Sequence, residues 1–120
     1  MAYDTSNVFA RILRGEIPCK KVHEDEHVLA FHDIAPKAPV HVLVIPKKPY
    51  VSLDDFTREA GAEEVGRFFK AVGDVARKLG VDQSGYRTIL NTGGHGGQEV
   101  PHIHAHILGG RAIGPMVMTR

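Results

Sequence analysis

The sequence predicts an α+β fold, a five-stranded and mainly antiparallel sheet carrying one short and one long helix. Short apolar runs bounded by turn residues supply the strands, and one stretch with apolar residues every three or four positions supplies the long helix. A length of 120 residues fits one core, so the whole chain, 1–120, is read as a single domain.

The elements follow in order. "TSNVFARILRG" offers Thr5, Ser6 or Asn7 as an N-cap, then Val8, Phe9, Ile12 and Leu13 at helical spacing, then Gly15 as a stop. "KKVHEDEHVLAFHDI" reads as a hairpin around the turn-prone "EDE". Its second strand places Val28, Ala30 and His32 on one face and Leu29, Phe31 and Asp33 on the other. "APKAP" breaks the chain before "VHVLVIP", a β-branched run ended by Pro46 that belongs inside the sheet. From Thr57 to Leu79, Val65, Phe68, Phe69, Val72, Val75, Ala76 and Leu79 repeat at helical intervals and predict one long helix, stopped by Gly80. "YRTILN" is a fourth strand, and "HIHAHIL" is the last.

Composition narrows the function. Fifteen basic and fourteen acidic residues give a net charge of +1 with no basic run, which argues against a nucleic-acid partner. No stretch reaches the roughly 20 apolar residues of a membrane span or forms a signal-peptide core, so no membrane partner is expected. Cys19 is the single cysteine; it can form no internal disulfide, and a cytoplasmic setting is expected. Eight histidines in a chain this short call for individual reading, because imidazole titrates near neutral pH.

On an extended strand His102, His104 and His106 share one face, while Ile103, Ala105 and Ile107 take the other. The plainest reading is a solvent-facing polar stripe. A metal reading meets a geometric limit: the outer two histidines lie about 13 Å apart at Cα, too far to meet easily at one tetrahedral ion. Two could chelate, with His41 or Asp33 supplying a further ligand. A catalytic reading has the middle imidazole reach the substrate while its neighbours fix its tautomer; neutral imidazole is a competent nucleophile toward phosphorus, and no metal is required.

The preceding "NTGGHGGQE" lacks the Lys and Ser/Thr of a Walker loop and is expected to open no helix. Gly93, Gly94, Gly96 and Gly97 could still turn consecutive backbone N–H groups toward an oxyanion. Read alone, the loop is better explained as a flexible connection. Loop and strand together specify a site better than either does separately.

These residues resemble the histidine triad (HIT) nucleotide-binding family. "HIHAHIL" fits its His-φ-His-φ-His-φ-φ pattern, and "GGQEVPHIHAHILGGR" extends the match on both sides. Further similarity runs through "IPCKKVHEDEHVLAFHDIAPKAPVHVLVIPKK" and "GYRTILNTG", and the "LGGR" ending looks more like the Hint branch than the diadenosine-polyphosphate hydrolase branch. The resemblance implies the HIT fold, a homodimer joining two five-stranded sheets, and hydrolysis of purine nucleoside phosphoramidates or aminoacyl-adenylates to an AMP-like nucleotide. It calls for no cofactor and no metal. Dinucleoside polyphosphate hydrolysis, or a nucleotide-binding scaffold dimer with incidental catalysis, are the alternatives it leaves.

Carried onto matching positions, the resemblance makes His104 the nucleophile that forms a nucleotidyl-histidine, with His102 orienting the triad. Asn91, Gly97, Gln98, the backbone of Glu99, and His106 would hold the phosphate. Asp33 would accept hydrogen bonds from the ribose hydroxyls, and Val8, Phe9, Ile12, Phe31 and Ile34 would wall the base. His41 aligns with a histidine behind the triad. His23, His27, His32 and His95 are read as surface or local-packing residues. Pro101 stands where many Hint proteins carry an aromatic residue, and Glu99 where some carry a serine.

Overall fold

The computed structural model describes residues 2–118. Helix α1 spans Val8–Leu13, β1 Lys21–Glu24, β2 Val28–His32, β3 Val40–Pro46, α2 Leu53–Glu59, α3 Ala62–Lys78, β4 Tyr86–Leu90, α4 Gly93–Gly96 and β5 Ala105–Gly109. The five strands form one sheet in the order β1-β2-β3-β5-β4, with every neighbouring pair antiparallel. The expected meander holds for the first three strands. It then gives way: β5 inserts between β3 and β4.

Both faces of the central strands are covered, which explains their near-continuous apolar sequence. Val28, Ala30, Val42, Val44, Ala105 and Ile107 pack with Phe56, Phe68, Val72 and Val75 of α2 and α3. Leu29, Phe31, Leu43 and Ile45 form a second cluster with Phe9 of α1, flanked by Ile12 and Leu13. The alternation predicted for the second strand is the one observed. At α1, Asn7 is the N-cap, its side chain accepting the Ala10 N–H at 2.9 Å.

The predicted single helix is two helices. An Asp55 carboxylate that accepts the Val51 and Ser52 N–H groups at 2.7 and 2.6 Å starts α2 earlier than expected. The backbone turns extended at Ala60, and Gly61 caps α3. Packing favours this break. Phe56 and Phe68 are twelve residues apart, so one continuous helix would separate them by roughly 18 Å of rise and about 120° of rotation. With the break, their rings meet edge to face at 5.4 Å. Phe69, expected on the inner face, lies at the rim, 41% exposed.

The last strand is also shorter than predicted. The β3–β5 ladder starts at Val44 and Ala105, leaving His102 to His104 outside it. Pro46 has no N–H to donate, and Ile103 donates instead to the Tyr50 carbonyl at 2.9 Å. The side-chain alternation nevertheless continues through this irregular stretch, because Ile103, Ala105 and Ile107 all reach the α2/α3 core. Among the described residues, no helix is long and apolar enough to cross a membrane.

Candidate active site

The face of the sheet that packs on α1 carries the site. In β3 the side chains of His41, Leu43 and Ile45 share a direction, and Leu43 pairs with His106 of β5. Asp33 follows β2 on the same side as Leu29 and Phe31. Phe9 closes the cluster from α1, edge-on to His104 with ring centroids 4.9 Å apart. The histidines form no solvent-facing stripe: His102 and His104 are buried, and His106 is half-buried.

Each ring is held in a definite tautomer by a backbone group that can play only one role. The His102 carbonyl can only accept, so His104 donates to it from Nδ1 at 2.8 Å. Burial lowers the His104 pKa and favours the neutral ring, which leaves Nε2 as an unprotonated lone pair. Among the described residues, no side-chain nitrogen shut off from solvent lacks a hydrogen-bond partner, so this bare Nε2 opens to the surface.

His106 is set by a longer chain of contacts. The Lys37 backbone N–H donates to His41 Nδ1 at 3.0 Å, so the His41 proton sits on Nε2. That Nε2–H donates to His106 Nδ1 at 2.9 Å, which places the His106 proton on its own Nε2. Burial, with the neighbouring His104 and His41, pushes the His106 pKa down to about 4. His104 thus offers a lone pair and His106 an N–H, with ring centroids 4.9 Å apart.

His102 plays neither part. Its Nε2–H donates to the Pro46 carbonyl at 2.8 Å, and its Nδ1 accepts from the Tyr3 hydroxyl at 2.5 Å. Burial pushes its pKa down to about 4. Both nitrogens are occupied and the residue is fully buried, so it has none left for a substrate.

Asp33, His41 and His106 each offer a ligand atom within 4.8 Å of the others. The spacing is of the size a metal ion needs, but the protonation pattern does not suit one. His41 Nε2 carries the proton fixed by Lys37, and binding a cation there would require an imidazolate. The grouping works as it stands: Asp33 Oδ2 lies 3.4 Å from His41 Nε2. The opposite oxygen, Oδ1, accepts the Ala35 N–H at 2.8 Å.

The glycine loop departs from its expected form. Gly93–Gly96 makes one helical turn, ended by Gly97 at φ +79°. Three N–H groups of the anticipated cradle are used within the loop: Gly93 donates to Gln98 Oε1, Gly97 to the Gly94 carbonyl and Gln98 to the Gly93 carbonyl. The Gln98 amide is a brace, its Nε2 donating to the Val51 and Val100 carbonyls at 2.5 and 3.0 Å. Asn91 is half-buried at the end of β4, and the Glu99 carboxylate is close enough to act electrostatically on His104.

Of the five apolar residues assigned to the base, Phe9, Ile12 and Phe31 come together in one cluster. Val8 is 39% exposed, and Ile34 projects fully into solvent. His23 pairs with Asp25 and His27 with Arg67, while His32 and His95 are exposed, in keeping with their structural reading. Sequence reasoning passes over Tyr3, Lys37 and Pro46. Two of these act through backbone atoms, which carry no side-chain signature, and Tyr3 precedes the first periodic element.

The sheet topology and the H-x-H-x-H site together define the histidine triad class. The chain belongs to the HIT domain family, whose model matches residues 14–113. It is 59% identical over 115 residues to a 13.2 kDa HIT-like protein of Azospirillum brasilense, covering 96% of this chain and 94% of that one. It is 44% identical over 117 residues to the purine nucleoside phosphoramidase of Escherichia coli, covering 98% and 96%. A solved histidine triad protein from Clostridium difficile matches with a TM-score of 0.84 and 42% identity, covering 97% of this chain and all of the other.

Proposed function

We propose that the whole chain is one HIT domain that hydrolyses purine nucleoside phosphoramidates by way of a nucleotidyl-histidine at His104. The observation that carries this reading is the bare, outward-opening Nε2 of a neutral His104 beside the Nε2–H of His106. The phosphoramidase name of the E. coli relative supports it. His104 Nε2 attacks the α-phosphorus; the Nε2–P bond forms as the P–N bond breaks, and the amine leaves with a proton from solvent. The His102 carbonyl, 2.8 Å from Nδ1, stabilises the positive charge that develops on the ring. His106 Nε2–H binds a phosphoryl oxygen. Water then attacks phosphorus, the Nε2–P bond breaks, and the nucleoside monophosphate leaves as a proton returns to solvent.

Asp33 receives the ribose hydroxyls at Oδ2, and Phe9, Ile12 and Phe31 wall the base, with Val8 and Ile34 at its open edge. Asn91 and the Glu99 backbone contribute contacts to the phosphate, Gly97, whose N–H is taken by the Gly94 carbonyl, turns the loop, and Gln98 braces it. We read the active form as a cytoplasmic homodimer paired through β4, one of the two sheet edges, where Tyr86 is 38% exposed.

Mixing the protein with adenosine 5'-phosphoramidate tests the reading directly. AMP release is expected, with a transient adenylyl adduct on His104 in intact-mass spectra. His104→Ala should lose at least about a thousandfold in turnover while keeping its melting temperature. Full activity of that variant, or no turnover by the wild-type chain, would sink the proposal.

A further inference from the structure

We infer that Tyr3, outside the triad itself, is a positioning residue that holds His102 so that the His102 carbonyl keeps His104 Nε2 free to attack. The inference rests on the hydrolase reading above, and its starting point is a connection between the chain's N-terminus and the triad. Tyr3 donates from its hydroxyl to His102 Nδ1 across 99 positions of sequence, and its ring stands edge-on to His102 at 5.6 Å.

His102 lies where the β3–β5 ladder has already ended, and its peptide with Ile103 is anchored on one side by the Ile103 N–H, which donates to the Tyr50 carbonyl at 2.9 Å. Two further contacts hold the His102 ring, the Pro46 carbonyl accepting from Nε2 and the Tyr3 hydroxyl donating to Nδ1. The residue whose ring they hold carries the carbonyl that assigns the His104 proton to Nδ1. If the ring loses Tyr3 and His102 shifts, that carbonyl tilts about the Ile103–Tyr50 anchor, and the His104 proton is free to move to Nε2, where it blocks attack.

The segment around Tyr3 is itself anchored. The Asn7 side chain donates to the Asp4 carbonyl at 2.7 Å while it caps α1, and the Asp4 carboxylate accepts from the Ser6 N–H. Phe9, further along α1, touches both His102 and His104. The N-terminal segment therefore braces the triad through Tyr3 and Phe9. Burial raises the Tyr3 pKa, so its hydroxyl stays a donor through the neutral range.

Tyr3→Phe removes the hydroxyl and keeps the ring, which makes it the discriminating variant. Loss of one such hydrogen bond is expected to lower kcat about fivefold to tenfold, with KM within about twofold of wild type. Nitrogen-15 spectra should show a shifted His102 Nδ1 and a mixture of tautomers at His104, where wild type shows Nδ1–H alone. Support requires both results. Unchanged kcat, or reduced kcat with wild-type His102 and His104 spectra, overturns the role. Should the wild-type chain fail to turn over the phosphoramidate, the proposed function falls, and the tautomer spectra alone then decide the role of Tyr3.

Discussion

At the scale of the residue, three chemically identical side chains receive different roles from their hydrogen-bond partners. His102 is closed at both nitrogens, His104 is open at one, and His106 is set by His41. His41 should therefore matter through the proton it sends to His106. His41→Ala is expected to lower kcat about tenfold, and His41→Gln, whose amide can still accept from Lys37 and donate onward, to recover part of it. Equal losses in the two variants would show that packing, and not the donated proton, is what His41 supplies. His104 must be neutral to attack, and burial holds its pKa below the 6.5 of a free imidazole. The acid limb of kcat/KM should accordingly fall below pH 6.5, with activity lost as His104 takes up a proton. A limb at or above that value contradicts the assignment.

At the scale of the element, close approaches decide what the sheet tolerates. A Cβ added at Gly109 of β5 would meet Val81 Cγ1 at 2.9 Å, beneath the strand that carries His106. Gly109→Ala is expected to destabilise the protein by about 1–3 kcal/mol in urea unfolding, and the added Val81→Ala change to return part of that loss. Strictly additive effects would place the cost elsewhere. The same scale shows what the sequence made legible. Alternation in "VLAFH" and "VHVLVIP" identifies both buried faces, because side-chain direction in a strand is fixed by position alone. The α2/α3 break escapes a sequence reading because it depends on Phe56 meeting Phe68, a tertiary contact on which local spacing is silent. The triad is legible as a spacing; strand geometry offers the middle imidazole, His104, as the substrate-reaching member, and the family resemblance selects that reading over the stripe and the metal site. The His41 relay depends on the Lys37 peptide, and the Gln98 brace on the carbonyls of Val51 and Val100, none of which a residue code records.

At the scale of the whole molecule, burying neutral imidazoles makes folding depend on pH. His102 and His106 are each pushed down to about 4 in the folded chain, against 6.5 when exposed on unfolding. Between those values the unfolded chain binds more protons than the folded one, so stability is complete above pH 6.5 and declines as pH falls toward 4. Each group contributes a slope approaching about 1.4 kcal/mol per pH unit within that window. Carboxylates act in a different range: Asp25, held at about 2 by His23 and backbone N–H groups, loses its contribution only below its ordinary 3.8. The two classes can therefore be separated by pH alone. Urea midpoints measured at about pH 7, 5.5 and 4.5, at one protein concentration so that association stays constant, should fall steeply across this series. His102→Gln removes one of the titrating rings while leaving an amide able to donate to Pro46, and it should flatten the decline by about one proton's worth. A variant whose midpoints fall as steeply as those of wild type would mean that His102 is already charged in the folded protein, and the closed, purely positional role assigned to it would have to be abandoned.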